Sequence, residues 1–276
     1  MASILNEEQF NYWDGEAGAI WVEHQQQLDQ LLTPFTDDSI ASLGSIEGRR
    51  VLDLGCGCGD SSIKLAAAGA QVLGIDLSRP MLAQANHRVQ NSANPTFLHA
   101  DGAVFNSEHE FDVLYSRFGS MFFKDPVVAF TNLKEALCRG GEIRLVCWQA
   151  PSFNPWMSVG GRAIASFVPE MEAPRDPRAP GPFAFSDPDY VRSILASSGF
   201  TDVSLTPVTQ SLRVAADLET AVAFQLVIGP AARAFKTLPK DSVKMATQAL
   251  KDALAPFETS TGVVMEGAVW LVSGKT

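Results

Sequence analysis

The sequence has little of what crosses a membrane, grips nucleic acid or builds a disulfide framework. It contains no run of about 20 apolar residues, the length a membrane-spanning helix needs. Basic residues are scarce: 21 Lys and Arg stand against 31 Asp and Glu, for a formal net charge of −10. The longest basic cluster is Arg49-Arg50, so no patch offers the positive face that a nucleic-acid backbone demands. Cysteine is rare too, with four in 276 residues. Cys56 and Cys58 are one residue apart, which suits neither a disulfide framework nor a C-x-x-C redox pair. Cys138 and Cys147 fall on a predicted helix and a predicted strand, without the paired Cys or His spacing of a zinc site. No metal is therefore expected. The opening MASILNEEQF lacks the basic region and long apolar core of a secretory signal, and the expectation is a cytoplasmic protein. Internal repeats and low-complexity tracts are missing as well.

What is present is an ordinary globular composition, 46% hydrophobic and 19% charged. A chain of this length can bury roughly three quarters of its unfolded surface, so one large domain is feasible. Apolar residues at Ile20, Trp21, Leu28, Leu31 and Leu32 predict N-terminal helix ending before Pro34. From Val51 the rhythm changes. VLDL, QVLGIDL, TFLHAD, FDVLYS and EIRLVCW read as five strands. Between them SSIKLAAAGA, PMLAQANHRVQ and VVAFTNLKEALCRG read as helices, the last closed by Gly140-Gly141. Strands alternating with helices predict a parallel sheet covered on both faces. After Trp148 the alternation breaks. The run from Pro169 to Tyr190 is crowded with proline and predicts a stiff, irregular crossing. DYVRSILASSGF reads as a helix and TDVSLTPV as a strand. A helical stretch interrupted near Gly229-Pro230 follows, and GVVMEGAVWLVSGK closes the chain as a last strand.

The stretch that carries chemistry is VLDLGCGCGD, Val51 to Asp60. Gly55, Gly57 and Gly59 follow a strand and open a helix, where a ligand can approach the backbone and meet helix N–H groups. The dinucleotide fingerprint G-x-G-x-x-G is not matched, because the sixth position from Gly55 is Asp60. Asp53 stands two residues before the first glycine, where a carboxylate would repel a pyrophosphate and suit a cation. A nucleoside with a cationic or zwitterionic tail fits, and S-adenosylmethionine is such a molecule. Asp76 ends the second strand, 23 residues beyond Asp53, where an acid can accept from both ribose hydroxyls. Asp101-Gly102 ends the third, where a carboxylate can accept from an adenine amino group. Cys56 and Cys58 read as small residues filling the gaps between the glycines.

Together VLDLGCGCG, GIDLS, HADG, FDVLYSRFGSMFF and LCRGGEIRLV resemble the class I S-adenosylmethionine-dependent methyltransferases of the small-molecule type, over roughly residues 50–148. ILASSGFTDVSL and AVWLVSGK extend the likeness to the last strands. The resemblance implies an α/β, Rossmann-like, seven-stranded and mostly parallel sheet. Its last strand runs antiparallel between strands five and six, with helices on both faces and helical cap insertions. It implies one domain over 1–276: lid helices over 1–36, a cofactor-binding half over 37–150, a proline-rich cap over 151–190, and final strands with a helical insertion over 191–276. The implied cofactor is S-adenosylmethionine, leaving as S-adenosylhomocysteine. Gly55, Cys56, Gly57 and Gly59 with Asp53 would serve its methionine part. Asp76, Leu77 and Met81 would serve the ribose and adenine, and Asp101, Gly102 and Ala103 the adenine edge. Ser116 and Arg117 would lie near the amino group and methyl path. Tyr12, Trp13 and Trp21 are available to cover the cofactor, where an aromatic face attracts a sulfonium; simple packing is the competing reading. Cys58 departs from the commoner threonine or serine of the family loop.

Methyl transfer needs alignment above all, and a general base only for some acceptors. Among the four histidines, His24 on the lid is the candidate base, while the catalytic residue is otherwise unassigned. The place of the N/D-P-P-Y/F motif of nucleic-acid amino-methyltransferases reads SRFGSMFF here. The expected partner is thus a small-molecule acceptor, apolar or aromatic if Phe122, Phe123, Phe153, Trp156, Phe183 and Phe185 line its pocket; a hydrophobic core is the equal alternative. An NAD-type oxidoreductase, a non-catalytic cofactor-binding protein on the same fold and a peptide methyltransferase stay open as alternatives.

Overall fold

The computed structural model describes residues 5–90, 92–168 and 176–276. These fall into two compact units, one of residues 1–148, 178–208 and 269–276, the other of residues 149–177 and 209–268.

The first unit begins with α1 (Glu7–Trp13), α2 (Glu16–Glu23) and α3 (Gln25–Ala41). The sequence predicted a stop before Pro34, and the helix instead runs through it. Proline costs one backbone bond there. Burial of Leu28, Leu31, Leu32 and Phe35 on one helix face outweighs that loss. Next come β1 (Arg50–Leu54), α4 (Asp60–Ala67), β2 (Gln71–Asp76), α5 (Arg79–Val89), β3 (Thr96–His99), β4 (Phe111–Arg117), α6 (Pro126–Glu135) and β5 (Leu137–Trp148). α5 starts where the chemistry of a helix start is complete: the Ser78 hydroxyl accepts from the Met81 N–H, and Pro80 sits in the first turn. α6 starts likewise on Asp125, which accepts from Val128 N.

The end of α6 corrects the sequence reading. Cys138, Arg139 and Gly140 were placed in the helix, but it stops at Glu135 with Ala136 as its cap. Leu137 already pairs with Phe111 of β4, and a register shift between Phe111 and Val113 absorbs the irregular residues. A strand partner decides the matter where helical periodicity had suggested a longer helix.

The chain continues through α7 (Pro155–Ile164), α8 (Pro188–Ser197), β6 (Thr201–Ala215), α9 (Leu218–Val227), α10 (Pro230–Phe235), α11 (Val243–Leu254), the two-residue β7 (Glu258–Thr259) and β8 (Gly262–Lys275). α7 was not foreseen in the sequence, and β6 is longer than expected because Pro207 lies on a terminal strand, where a missing N–H is tolerated. The part of the proline-rich run over 169–175 lies outside the described residues.

The strand order is β3-β2-β1-β4-β5-β8-β6, with β7 paired to β8. β3, β2, β1, β4 and β5 are mutually parallel, and β8 runs antiparallel to β5. The expected insertion of an antiparallel last strand between the fifth and sixth is what forms. Chain order reverses beside β1, so a crevice opens at the carboxyl ends of β1 and β4. β1 and β4 read as nearly continuous apolar runs because both faces of the sheet are covered. Val51, Val72, Val113 and Tyr115 pack with Leu65, Leu43 and Ile46 in one such layer.

In the second unit, Asn154 ties the start of α7 to Ala268. Its amide donates to the Gln149 and Ala268 carbonyls at 3.1 and 3.0 Å and accepts from Ala268 N at 2.9 Å. Gln225 of α9 donates to the Trp156 carbonyl of α7.

Candidate functional site

The glycine loop joins β1 to α4. Gly55, Gly57 and Gly59 all take left-handed φ values, +69°, +55° and +83°, a conformation that costs other residues. Gly55 has a second reason to be glycine: a Cβ there would stand 2.7 Å from Gly119 Cα. Gly119 is equally constrained, since its own Cβ would lie 2.7 Å from the Leu54 carbonyl oxygen. The loops after β1 and β4 therefore meet backbone to backbone. Sequence reasoning missed Gly119, although the FGS following the fourth strand was the available signal.

Asp53 ends β1 fully buried. Ser61 and Ser62 donate to its Oδ2 at 2.7 and 2.6 Å. Its Oδ1 is buried without a hydrogen-bond partner. Burial pushes its pKa up to about 6, against the pull of the two serines and of the Arg117 guanidinium. Asp76 ends β2. Its Oδ2 accepts from Gly57 N and its Oδ1 from Ser78 N, both at 2.8 Å. Burial raises its pKa, opposed by those backbone donors. Each carboxylate oxygen takes two hydrogen bonds, so Asp76 shapes the glycine loop and keeps acceptor capacity for a diol. Cys56 and Cys58 are buried, and desolvation raises both thiols, Cys58 to about 12. They stay neutral and fill space, in line with the packing reading.

Asp101 is tied more heavily than the sequence suggested. Its Oδ2 accepts from Leu5 N and Asn6 N at 2.9 and 3.0 Å, and its Oδ1 from Ala103 N at 2.9 Å. Asn6, which precedes α1, donates to the Phe122 carbonyl at 2.9 Å and accepts from Lys124 N at 3.1 Å. The third acid is thus the docking post of the N-terminal helices. Asn6 was missed; an asparagine before EE is a helix-start signal, but its side chain is spent on a distant loop. Gly102 is pressed against Leu54 and Phe123, and the Leu77 carbonyl meets His99 Nε2 at 2.9 Å. Met81 is buried, its Cε only 2.8 Å from where a Gly57 Cβ would be.

Ser116 donates to the Leu54 carbonyl at 2.8 Å, joining β4 to β1. Arg117 Nη1 donates to Asp60 Oδ2 at 2.8 Å and to Thr36 Oγ1 at 2.7 Å. Its Nε is buried without a partner. Trp13 is the centre of the N-terminal aromatics, edge-on to Tyr12, Trp21 and Phe122 at 5.1, 5.8 and 5.3 Å. α2 presses so closely that a Cβ on Gly18 would lie 2.5 Å from Ser78 Oγ. Tyr12 itself is 46% exposed. His24 joins α2 to α3 and is half-buried.

The six aromatics read equally as pocket lining or as core do not act as one set. Phe122 packs on Trp13. Phe123 and Phe185 are buried against Phe130, 6.1 and 6.3 Å between centroids, which makes them core. Phe183 is half-buried, and Phe153 and Trp156 belong to the second unit. A different group stands at the ends of β4 and β5. Phe118 stacks on Trp148 with centroids 4.0 Å apart and planes 3° from parallel, and Phe35 of α3 meets both edge-on. Phe118 holds a left-handed φ of +64°, a strained state for a bulky residue. No short-range pattern in the sequence marks it.

A doubly wound sheet of this strand order, with a glycine loop after β1 and acids ending β1 and β2, has the architecture of the class I S-adenosylmethionine-dependent methyltransferases. S-adenosylmethionine carries an ammonium, a carboxylate and a ribose diol. The buried atoms without partners include one acceptor, Asp53 Oδ1, and one donor, Arg117 Nε, on neighbouring parallel strands. An ammonium and a carboxylate would satisfy both, so the residues present fit the group. Residues 51–141 match the family model described as a methyltransferase domain. A ubiquinone biosynthesis O-methyltransferase of Aromatoleum aromaticum is 33% identical over 115 residues, 41% of this chain and 49% of its own. A demethylmenaquinone methyltransferase of Clavibacter sepedonicus is 27% identical over 183 residues, 63% of this chain and 74% of its own. The match thus spans about half of the first relative and about three quarters of the second. The fold is shared with a magnesium protoporphyrin IX methyltransferase of Synechocystis solved with bound S-adenosylhomocysteine. That comparison gives a TM-score of 0.58 and 16% identity over 98% of this chain and 99% of the other. Among the described residues no helix is long and apolar enough to cross a membrane.

Proposed function

We propose that the chain transfers a methyl group from S-adenosylmethionine to a small molecule bearing a planar aromatic ring. The observation that carries the donor half is the pair of buried, opposite-character atoms, Asp53 Oδ1 and Arg117 Nε. A buried polar group without a partner is costly, and the methionyl ammonium and carboxylate remove that cost. Asp76 takes the ribose diol, with Leu77 and Met81 against the nucleoside. Asp101 offers its remaining Oδ1 lone pair to the adenine amino group, beside Gly102 and Ala103. Tyr12, Trp13 and Trp21 belong to the cover.

The donor supplies a methyl on a sulfonium; the S–CH3 bond breaks as the acceptor's lone pair forms the new one, and S-adenosylhomocysteine leaves. The chain's own work is positional. Glycines let the loop backbone approach the methionyl part, and the β1–β4 backbone contact holds the two loop walls together. Near-attack alignment of this kind can supply several kcal/mol of the barrier. The carboxylates of Asp53, fully buried, and Asp76, half-buried, keep the cationic donor in a negatively charged place. Where the acceptor must lose a proton, His24 between α2 and α3 is the candidate base.

The acceptor class rests on the aromatic pair Phe118 and Trp148 at the ends of β4 and β5 and on relatives named as a ubiquinone biosynthesis O-methyltransferase, a demethylmenaquinone methyltransferase and a magnesium-protoporphyrin O-methyltransferase. Transfer from methyl-labelled S-adenosylmethionine to a panel of phenols, quinols and aliphatic amines tests it. Labelling confined to the aromatic acceptors is expected. Labelling of aliphatic amines alone overturns the acceptor class, and binding of NAD without S-adenosylmethionine overturns the donor.

A further inference from the structure

α3 carries Asp29 and Thr36 seven residues apart, hence on one face of the helix. Both meet arginines from elsewhere. Asp29 Oδ2 pairs with Arg88 Nη2 of α5 at 3.0 Å and also accepts from Gln25. Arg88 Nη1 donates to the Cys58 carbonyl at 2.7 Å, inside the glycine loop. Arg88 also stands 3.9 Å from Asp60 Oδ1, at the first residue of α4. Asp60 Oδ2 pairs with Arg117 Nη1 at 2.8 Å, and Arg117 returns to α3 through Thr36 Oγ1 at 2.7 Å. The contacts close a ring: Asp29, Arg88, Asp60, Arg117, Thr36. The charged side chains are only 13%, 22%, 9% and 9% exposed in the order Asp29, Arg88, Asp60, Arg117. Two carboxylates balance two guanidinium groups, as burial requires.

We propose that Asp29 is a positioning residue for the donor site, holding the glycine loop in shape through Arg88 and the Cys58 carbonyl. The proposal rests on the reading of that loop as the methionyl site. Cys58 lies between Gly57 and Gly59, both in left-handed conformations, and glycine neighbours impose little steric restraint. The Arg88 bond is the side-chain anchor of the loop's far end, beside the backbone bond from Gly59 N to the Cys56 carbonyl at 2.9 Å. A guanidinium is a rigid fork, so Arg88 can reach Cys58 squarely only while its other arm is held by Asp29. With the Asp29 charge removed, Arg88 turns toward Asp60, the nearest remaining carboxylate, and releases Cys58. Asp60 in turn is drawn from Arg117, whose Nε is buried without a partner. Seating α3 and shaping the loop become a single event, transmitted from a helix of which no residue need touch the donor.

A merely structural tie between α3 and the body would weaken every nucleoside ligand alike. A positioning role acts on the methionyl part alone. Calorimetric titration of the full chain with S-adenosylhomocysteine and with 5′-methylthioadenosine, which lacks the amino-acid tail, separates the two. Asp29→Asn is expected to weaken S-adenosylhomocysteine about tenfold and leave 5′-methylthioadenosine within about twofold, equivalent to about 1.4 kcal/mol on one ligand only. Asp37→Asn removes an exposed α3–α4 ion pair with Lys64 outside the ring and should change neither. Should Asp29→Asn not fold, Asp29→Glu keeps the charge and displaces it by one methylene, and is expected to show the same split at smaller size. Equal weakening of both ligands, or no weakening, overturns the positioning role while leaving the donor site standing. Failure of the unaltered chain to bind S-adenosylhomocysteine overturns the donor site and the proposal with it.

Discussion

Asn154 in the second unit and Asp53 in the first are both buried polar side chains near strand ends, and they are satisfied very differently. Asn154 spends its amide fully, on Gln149 and on both backbone groups of Ala268. Asp53 leaves one carboxylate oxygen bare, beside a guanidinium with a bare Nε. The first pattern is architecture: the protein alone completes it. The second leaves an acceptor and a donor open, which the ammonium and carboxylate of the proposed donor would fill. Where hydrogen bonds close, burial reports stability, and an open group beside a glycine loop marks a place for a ligand to be tested.

Substitutions can break that contrast or sharpen it. The largest effect should come from Gly55→Ala, which sets a methyl against the Gly119 backbone at a left-handed φ. A loss of about 3 kcal/mol in denaturant titration and loss of S-adenosylhomocysteine binding are expected. Asn154→Ala leaves the Ala268 backbone groups buried and unpaired, at about 2 kcal/mol of stability; calorimetry should find S-adenosylhomocysteine affinity within about twofold of the parent. Asp53→Asn should do the reverse. It removes a buried charge that the two serines and the Arg117 guanidinium offset only in part, so the thermal midpoint of the free chain at pH 7 rises, while affinity drops about tenfold. If both changes moved stability and affinity together, the distinction would fail.

The effect spread over the widest range of conditions is in pH. Asp53 lies at about 6 against an ordinary 3.8, so the folded chain holds this proton more tightly than the unfolded one. Its contribution to stability is fully present below about pH 3.8 and is lost as pH rises through about 6, on the order of 3 kcal/mol in total. An ammonium ligand prefers the ionised form. Affinity for S-adenosylhomocysteine should therefore fall as pH drops through about 6, and Asp53→Asn should flatten that profile.

What the sequence made legible was local. Alternating strands and helices, three glycines after a strand, and acids at strand ends can be read from spacing alone, whereas the sheet order came with the family resemblance. The losses were all long-range. Pro34 reads as a helix stop because periodicity does not weigh the buried face that carries α3 past it. Cys138 to Gly140 read as helix because their strand partner, Phe111, lies far back in the chain. Asp29, Arg88 and Asp60 look like ordinary surface charges until α3 brings them together, and Asn6 like an ordinary helix start until Asp101 takes its backbone. Phe123 and Phe185, read equally as pocket lining or as core, are core, whereas Phe118 gained its place through a left-handed backbone that no pattern announces.

The most direct measurement is calorimetric titration of the unaltered chain with S-adenosylhomocysteine, 5′-methylthioadenosine and NAD in turn. The account predicts that S-adenosylhomocysteine binds at least about tenfold more tightly than 5′-methylthioadenosine, a gap of about 1.4 kcal/mol, because only the former fills Asp53 Oδ1 and Arg117 Nε; NAD should not bind. Equal affinity for the two nucleosides, or binding of NAD alone, would contradict it.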